Sequence, residues 1–421
     1  MTKKLFLQIT RFNKFLITIS FFCLPFFGNS FGVLTHEAII DAAWEKSILP
    51  LLKSKYPAST EEALKDAHAY AYGGAVAPDM GFYPFGSKLF TNLVHYVRSG
   101  DMVNALLKNA NNLNEYAFAL GFLSHYNADN HGHPLATNRS VPLVYPKLQK
   151  KFGNKITYAQ DKISHMRMEF GFDVLQVTKG NYASLEYQGF IGFKVDTSIL
   201  ARAFMETYGL DINKVFGNHL SLTVEVFRYT VANIFPLITK SAWATKSLNI
   251  VNTDSTASAK HFRFKMRQKQ YNKQYGTGYK RPGIFPVFLS LFIRVLPKVG
   301  PLRVLKFKIP NAASEKYFIQ SFDTIIQKYT SQIEQLQQSN IHLKDINYDT
   351  GESTQSCEYS LADDTYRKWI LALKKNEFKD VTNPIKQNIL VFYNGISIKS
   401  NQKSSKCDEL YRVLNELKTI P

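Results

Sequence analysis

Between His36 and Leu52 apolar side chains recur at Ala38, Ile39, Ala42, Ala43, Ile48 and Leu51, close to the spacing of a helix with one buried face. From Asn114 to Ala128 the chain is apolar nearly all round, which predicts a buried central helix. Ala159 to Val177 and Ser221 to Ile238 also read as helices, and Ala312 to Gln338 as an amphipathic one. Between these, the stretch from Gly73-Gly74 to Gly86 holds Pro78, Pro84 and several aromatics and reads as a loop. No internal repeat stands out, and no long alternating run demands a large sheet. The expectation is an all-α fold.

The N-terminus is set apart from this pattern. Lys3, Lys4, Arg11 and Lys14 precede an apolar run from Phe15 to Phe27, and Gly28 and Ser30 offer small side chains before a cut ahead of Phe31. That order predicts a signal peptide over residues 1–30 and an exported protein, periplasmic or secreted. An uncleaved anchor is the alternative, although the run is short for a membrane span. Phe22 before Cys23 is too bulky for a lipoprotein signal.

Composition adds a charge bias. The 421 residues are 45% hydrophobic and 20% charged, as in globular proteins, with a net charge of +19. Loss of the four basic residues of the leader leaves +15, an excess that favours anionic partners. Only Cys357 and Cys407 remain after export, candidates for one disulfide, so any metal site has to be built from His, Asp and Glu. The window from Ser255 to Ser314 contains thirteen Lys or Arg and no acid. Its first half is polar with interleaved aromatics; its second, Ile284 to Pro310, is apolar with scattered cations. The plain reading is a solvated linker followed by core-packing helices. The sharper one is a basic surface for anionic lipid or nucleic acid. The chain divides accordingly into a catalytic region at 31–245, a basic linker at 246–283, and a mostly helical C-terminal region at 284–421 with no assigned role.

Seven of the ten histidines lie between positions 36 and 165. His125 and Asp129 are four apart on the apolar helix, so their Cβ atoms lie about 5–6 Å apart on one face. His165 and Glu169 repeat that spacing on a second helix. A single such pair is often only a helix salt link. Two of them, with the cluster Asp129-Asn130-His131-Gly132-His133-Pro134, point to a metal site inside a helical bundle. A carboxylate at Asp129 in so apolar a segment is costly unless it is paired or metal-bound.

These residues resemble the zinc-dependent phospholipase C and single-strand nuclease superfamily, in particular its bacterial phospholipase C-like branch, over roughly residues 31–240. The resemblance begins at Phe31-Gly32-Val33-Leu34-Thr35-His36, where family members start with Trp-Gly, and continues through Ala77-Pro78-Asp79 and Leu93-Val94-His95-Tyr96. His125 with Asp129, a histidine near Pro134, and His165 with Glu169 follow in family order. It implies a multi-helix bundle around a zinc cluster, with the C-terminal region as an extension, and three Zn2+ ions. Asp79, His95, His125 and Asp129 would hold the first. A histidine of the 131–133 pair, His165 and Glu169 would hold the second. Phe31 through its N-terminus, His36 and a bridging Asp129 would hold the third. Leu135 stands where many members have the post-aspartate histidine; His133 is preferred over His131 because Gly132 and Pro134 break the helix there. His68 has no place in the pattern and is expected to be structural or to support a ligand from behind.

Such a cluster implies hydrolysis of a phosphodiester by a zinc-activated water, with Asp79 orienting that water or acting as general base. Phospholipase C-type cleavage of a glycerophospholipid, with peripheral contact to an anionic membrane, is the favoured reading. A single-strand nuclease or nucleotidase using the same cluster is the alternative. A non-catalytic zinc-stabilised protein is disfavoured by the complete ligand set. The aromatic loop from Met80 to Phe85 would suit acyl chains, a choline or a stacked base, or would simply pack.

Overall fold

A computed structural model of the chain describes residues 32–179, 181, 193–231, 235, 306–338, 341–394 and 405–420. The leader, Phe31 and nearly all of the basic window before Lys306 lie outside the described residues. Those described are helical, with no strand among them and one isolated bridge, Asn347 to Glu352. No described helix is long and apolar enough to cross a membrane.

Helix α1 (Val33–Ala43) passes through a π turn at Trp44–Ile48 into α2 (Leu49–Lys55). Helix α3 (Glu61–Val76) starts at Thr60, whose hydroxyl accepts from Ala63 N, with Glu61 and Glu62 in the positive first turn. Gly73 and Gly74 thus belong to a helix, and the irregular stretch expected there begins only at the 3₁₀ turn Ala77–Phe82. Then come α4 (Lys88–Tyr96), α5 (Ser99–Asn109) and the central α6 (Leu113–Gly132). Asn112 caps α6 by accepting from Asn114 N and Glu115 N, while Glu115 reaches back to Asn111 N, a reciprocal arrangement that fixes where the helix begins.

Helix α6 is buried on every side, as its apolar sequence predicts. It packs against α1, α3, α5 and the long helix over Ala312–Gln338. Its contact with α3 is glycine-mediated. A Cβ added at Gly121 would lie 2.0 Å from Ala71 O, and one at Gly74 would lie 2.0 Å from Phe118 O. Only glycine lets the two backbones approach this closely, and the approach aligns the C-terminal turn of α3 with His125 on α6.

The remaining elements close the body around α6. They are α7 (Asn138–Val144), α8 (Pro146–Phe152), α9 (Lys162–Lys179), α10 (Thr197–Tyr208), α11 (Ile212–Val215) and α12 (Leu220–Tyr229). The C-terminal region adds α13 (Ala312–Gln338), α14 (Ser360–Lys375), α15 (Asn383–Phe392) and α16 (Ser405–Thr419). Phe318, Ile325, Tyr329 and Ile333 form the buried stripe of α13, and Tyr329 Oη donates to Leu120 O at 2.9 Å. Trp369 on α14 is fully buried and donates to Tyr208 O at 2.8 Å. The buried apolar side chains form one continuous core running from Val33 to Leu417. Cys357 is exposed, and the side chain of Cys407 lies outside the described residues.

The α3–α6 contact yields a prediction. Gly121→Val forces a side chain into Ala71 O, so the variant should lose about 3 kcal/mol, the upper end for over-packed cores, because backbone cannot step aside. Chemical denaturation measures it, and a midpoint matching the parent protein would refute the close-packing argument.

Candidate metal centre

Eight of the nine sequence-predicted site residues lie within the described residues, and all eight are buried. His36 comes from α1, Asp79 from the 3₁₀ turn, His95 from α4, His125 and Asp129 from α6, His133 from the π turn His133–Thr137 that continues α6, and His165 and Glu169 from α9. Phe31 lies outside the described residues. Pro134 does not end the helix sharply; the chain carries on through the π turn, and this places His133 inward. His131, two residues before the turn, is only partly covered.

Asp129 is the hub. Its Oδ2 lies 3.2 Å from His125 Nε2 and 3.4 Å from His95 Nε2. Its Oδ1 lies 3.4 Å from His36 Nε2 and 3.8 Å from His133 Nε2. The two oxygens therefore face two sets of imidazoles. Asp79 Oδ1 is 3.4 Å from His95 Nε2, and Glu169 Oε1 is 2.8 Å from His165 Nε2 and 3.2 Å from His133 Nε2. The rings of His36 and His125 stack with centroids 4.3 Å apart.

The far sides of two rings identify their tautomers. His125 Nδ1 is 2.9 Å from Ala75 O, a last-turn carbonyl of α3, and His95 Nδ1 is 2.8 Å from Thr91 O. A carbonyl can only accept, so each Nδ1 carries a proton and donates it. In the neutral ring that leaves the Nε2 lone pair for a metal, and these two nitrogens face one another at 3.4 Å. Both oxygens of Asp79 and of Asp129, Oε1 of Glu169 and both ring nitrogens of His165 are buried without a hydrogen-bond partner. Such a convergence of acceptors is costly for a protein alone and suits divalent cations. Nitrogen and carboxylate donors without thiolate are a set that zinc accepts.

The protein's own electrostatics express the same frustration. Burial works against a charged His95, yet the Asp129 and Asp79 carboxylates push it up to about 9. Burial likewise opposes ionisation of Asp129, and the surrounding histidines nonetheless hold its carboxyl well below the usual range. Three clusters bring donor atoms within 4.8 Å of one another: Asp79, His95 and His125; His36, His125 and Asp129; and His133, His165 and Asp349.

Sequence reasoning missed three neighbours of this site. Asp173 lies one helical turn beyond Glu169 on α9 and accepts from Leu34 N, Thr35 N and Thr35 Oγ1 at 3.1, 3.0 and 2.7 Å. It caps α1, which carries His36 and has no side-chain cap of its own, and burial pushes its carboxyl up to about 7. The four-residue steps from His165 to Glu169 to Asp173 were a signal that could have revealed it. Tyr348 and Asp349 come from the C-terminal region and had no such signal. The 3₁₀ turn that carries Asp79 is pinned by Thr91, whose hydroxyl donates to Pro78 O and accepts from Gly81 N. Phe82 and Tyr83 of the aromatic loop are buried, while Phe85 is 50% exposed. His68 stacks on Trp44 with centroids 3.7 Å apart.

If these residues bind zinc, removal of metal by a chelator should lower the melting temperature by roughly 5–10 °C, since a site held at 100 times its Kd adds about 2.7 kcal/mol and each kcal/mol moves a domain of this size about 2–4 °C. His125→Ala and Asp129→Asn should lose metal and that stabilisation together, and His133→Ala should lose more zinc than His131→Ala. Elemental analysis alongside thermal melts checks this; a zinc-replete Asp129→Asn protein would sink the bridging role.

No curated protein and no solved structure matches the chain. Residues 35–218 match the family described as zinc dependent phospholipase C, a span that includes every described residue of the predicted site and ends well before Asp349. Over that span the chain is similar to the zinc-dependent phospholipase C family, a likeness that indicates a phospholipase C-like hydrolase.

Proposed function

We propose that the protein is an exported phospholipase C-type enzyme that cleaves glycerophospholipids on the glycerol side of the phosphate, using zinc held by the buried histidine–carboxylate cluster. The observation that carries this reading is the double-faced Asp129, whose two oxygens meet separate sets of histidines, as a carboxylate shared between adjacent metals would. Asp79, His95, His125 and Asp129 would hold one zinc; His133, His165 and Glu169 a second; His36, Asp129 and the N-terminus of Phe31 a third. Bound there, zinc supplies Lewis acidity and lowers the pKa of coordinated water towards 7.

The protein's groups divide the remaining work. Thr91 and Ala75 carbonyls fix the imidazoles of His95 and His125, so their Nε2 atoms stay aimed at the cluster without rearrangement. Asp79 has both oxygens free of hydrogen-bond donors, and burial raises its carboxyl against the pull of His95. A carboxylate so deprived of donors is a better proton acceptor, suited to take the proton of the attacking water at Oδ2 while Oδ1 faces His95. The apolar surroundings exclude bulk water and keep these charges effective. Phe85, half-exposed at the end of the loop that begins with Asp79, offers apolar surface to an acyl chain.

Export is supported by the leader pattern at residues 1–30, and contact with anionic membranes by the basic, apolar stretch from Ile284 to Pro310. The same cluster would also serve a single-strand nuclease, because the chemistry at phosphorus is common to both substrates. The deciding experiment compares turnover of mixed phospholipid vesicles with that of single-stranded DNA, each with and without chelator. Chelator-sensitive release of diacylglycerol, faster than any DNA cleavage, is expected; DNA cleavage without diacylglycerol would favour the nuclease. N-terminal sequencing of exported material should find Phe31 first, and a fully zinc-loaded enzyme that starts several residues away would exclude a terminal-amine ligand.

A further inference from the structure

The segment from Leu343 to Tyr359 crosses the metal centre from outside the family match. Asp345 Oδ1 accepts from Gly100 N and Asp101 N, both at 3.0 Å, at the start of α5. Ser99 Oγ donates to Ile346 O. Tyr348 N donates to His95 O at 3.1 Å, and its fully buried ring lies 5.1 Å from that of His95 and 5.8 Å from that of His125. The chain then turns at Gly351, whose φ of +75° and position against Asn130 O leave no room for a side chain. The turn presents Asp349, 1% exposed, to His133.

Its two oxygens have different company. Oδ2 accepts from Tyr158 N at 2.9 Å and from Tyr359 Oη at 2.6 Å. Oδ1 has no hydrogen-bond partner and points at His133 Nδ1, 3.4 Å away. On the opposite edge of that ring, Nε2 faces Glu169 and Asp129. His133 thus repeats the plan of His95 and His125, with Nδ1 turned to an oxygen and Nε2 to the cluster, except that its oxygen carries a full negative charge.

We propose that Asp349, supplied by the C-terminal region, is the positioning residue of the His133–His165 zinc pocket: it accepts a hydrogen bond from Nδ1–H of His133, keeps the proton on that nitrogen, and leaves the Nε2 lone pair for the metal. An anionic partner raises the basicity of a ligating imidazole, and loss of such a partner typically weakens metal affinity about 10–100-fold. The C-terminal region is on this view part of the metal centre. The inference rests on the zinc reading proposed above.

Asp349→Asn tests it because the substitution is nearly isosteric. Whichever way the amide is placed, its NH2 meets either His133 Nδ1, forcing the proton onto Nε2, or the donors Tyr158 N and Tyr359 Oη. Zinc content is measured after dialysis against graded chelator, and melting temperatures are taken with and without zinc. The expected result is loss of about one zinc equivalent at about 10–100-fold lower chelator activity than the parent protein requires, with a smaller zinc-induced rise in melting temperature. In a His133→Ala background the same substitution should change zinc retention less than about twofold, as coupled sites do when the shared partner is gone. A lower melting temperature of the metal-free protein with an unchanged zinc-induced rise would mean that Asp349 only braces the fold, and would overturn the proposal. Unchanged zinc retention in a folded Asp349→Asn protein overturns it too, leaving the zinc reading intact. A parent protein that binds no zinc overturns both.

Discussion

Burial of the Asp129 carboxylate at the middle of an apolar helix is the constraint around which the structure is arranged. An isolated ionised carboxylate cannot be taken out of water without a cost of several kcal/mol, and the usual remedy is a cation or a set of donors. Here the surrounding histidines serve in the metal-free protein and hold the carboxyl ionised. The imidazoles that surround Asp129 turn their proton-bearing Nδ1 atoms outward in the two cases fixed by carbonyls, so it is Nε2 that meets the carboxylate, where a cation can replace a proton. Glu169 and Asp79 deepen the deficit of positive charge. A protein that builds such a cluster has committed its core to cations, and metal affinity becomes part of its folding energy.

The helices are placed to sustain that arrangement. Close contact between α3 and α6 through Gly74 and Gly121 aligns Ala75 O with His125, so a packing detail between two backbones decides the tautomer of a ring in the site. Asp173 does comparable work for His36. A carboxylate on α9 substitutes for the missing N-cap of α1, and α9 thereby presents His165, Glu169 and Asp173 along one face with three related tasks. The same helix binds at the cluster and fixes the origin of the helix opposite.

Much of this was legible in the sequence because it rests on local periodicity. The buried α6, the amphipathic α13 and the two His-x-x-x-carboxylate pairs follow from spacing along single helices, and the helical ranges observed match those expected within a few residues. What the pattern misjudged was Gly73-Gly74, read as loop because glycine disfavours helices. The helix runs on through both, and at Gly74 tertiary packing rewards the missing side chain. The choice between His131 and His133 turned on Pro134, which bends the helix into a π turn without ending it. Asp349 was invisible in principle. Its partner Tyr158 stands 191 residues earlier, and nothing in the polar stretch around it differs from an ordinary loop.

The C-terminal segment therefore changes how the chain's halves relate. A domain joined by a linker would keep its own core and meet the catalytic region at a separable interface. Instead, α13 lies against the central helix, Tyr329 satisfies a carbonyl of α6 that helical bonding would otherwise share, and Tyr348 roofs two histidines of the site. One continuous core contains side chains from both halves. The 345–351 turn is held by hydrogen bonds to α5 on one side and by Asn138 on the other, which donates to Asp349 O at 2.7 Å. These contacts fix the turn before any metal arrives, and a preformed carboxylate behind His133 spares the ring the rotational freedom it would otherwise lose on coordination. The region beyond the family match thus lends rigidity to the centre the family supplies, and the metal centre in turn draws both halves of the chain onto one set of buried charges.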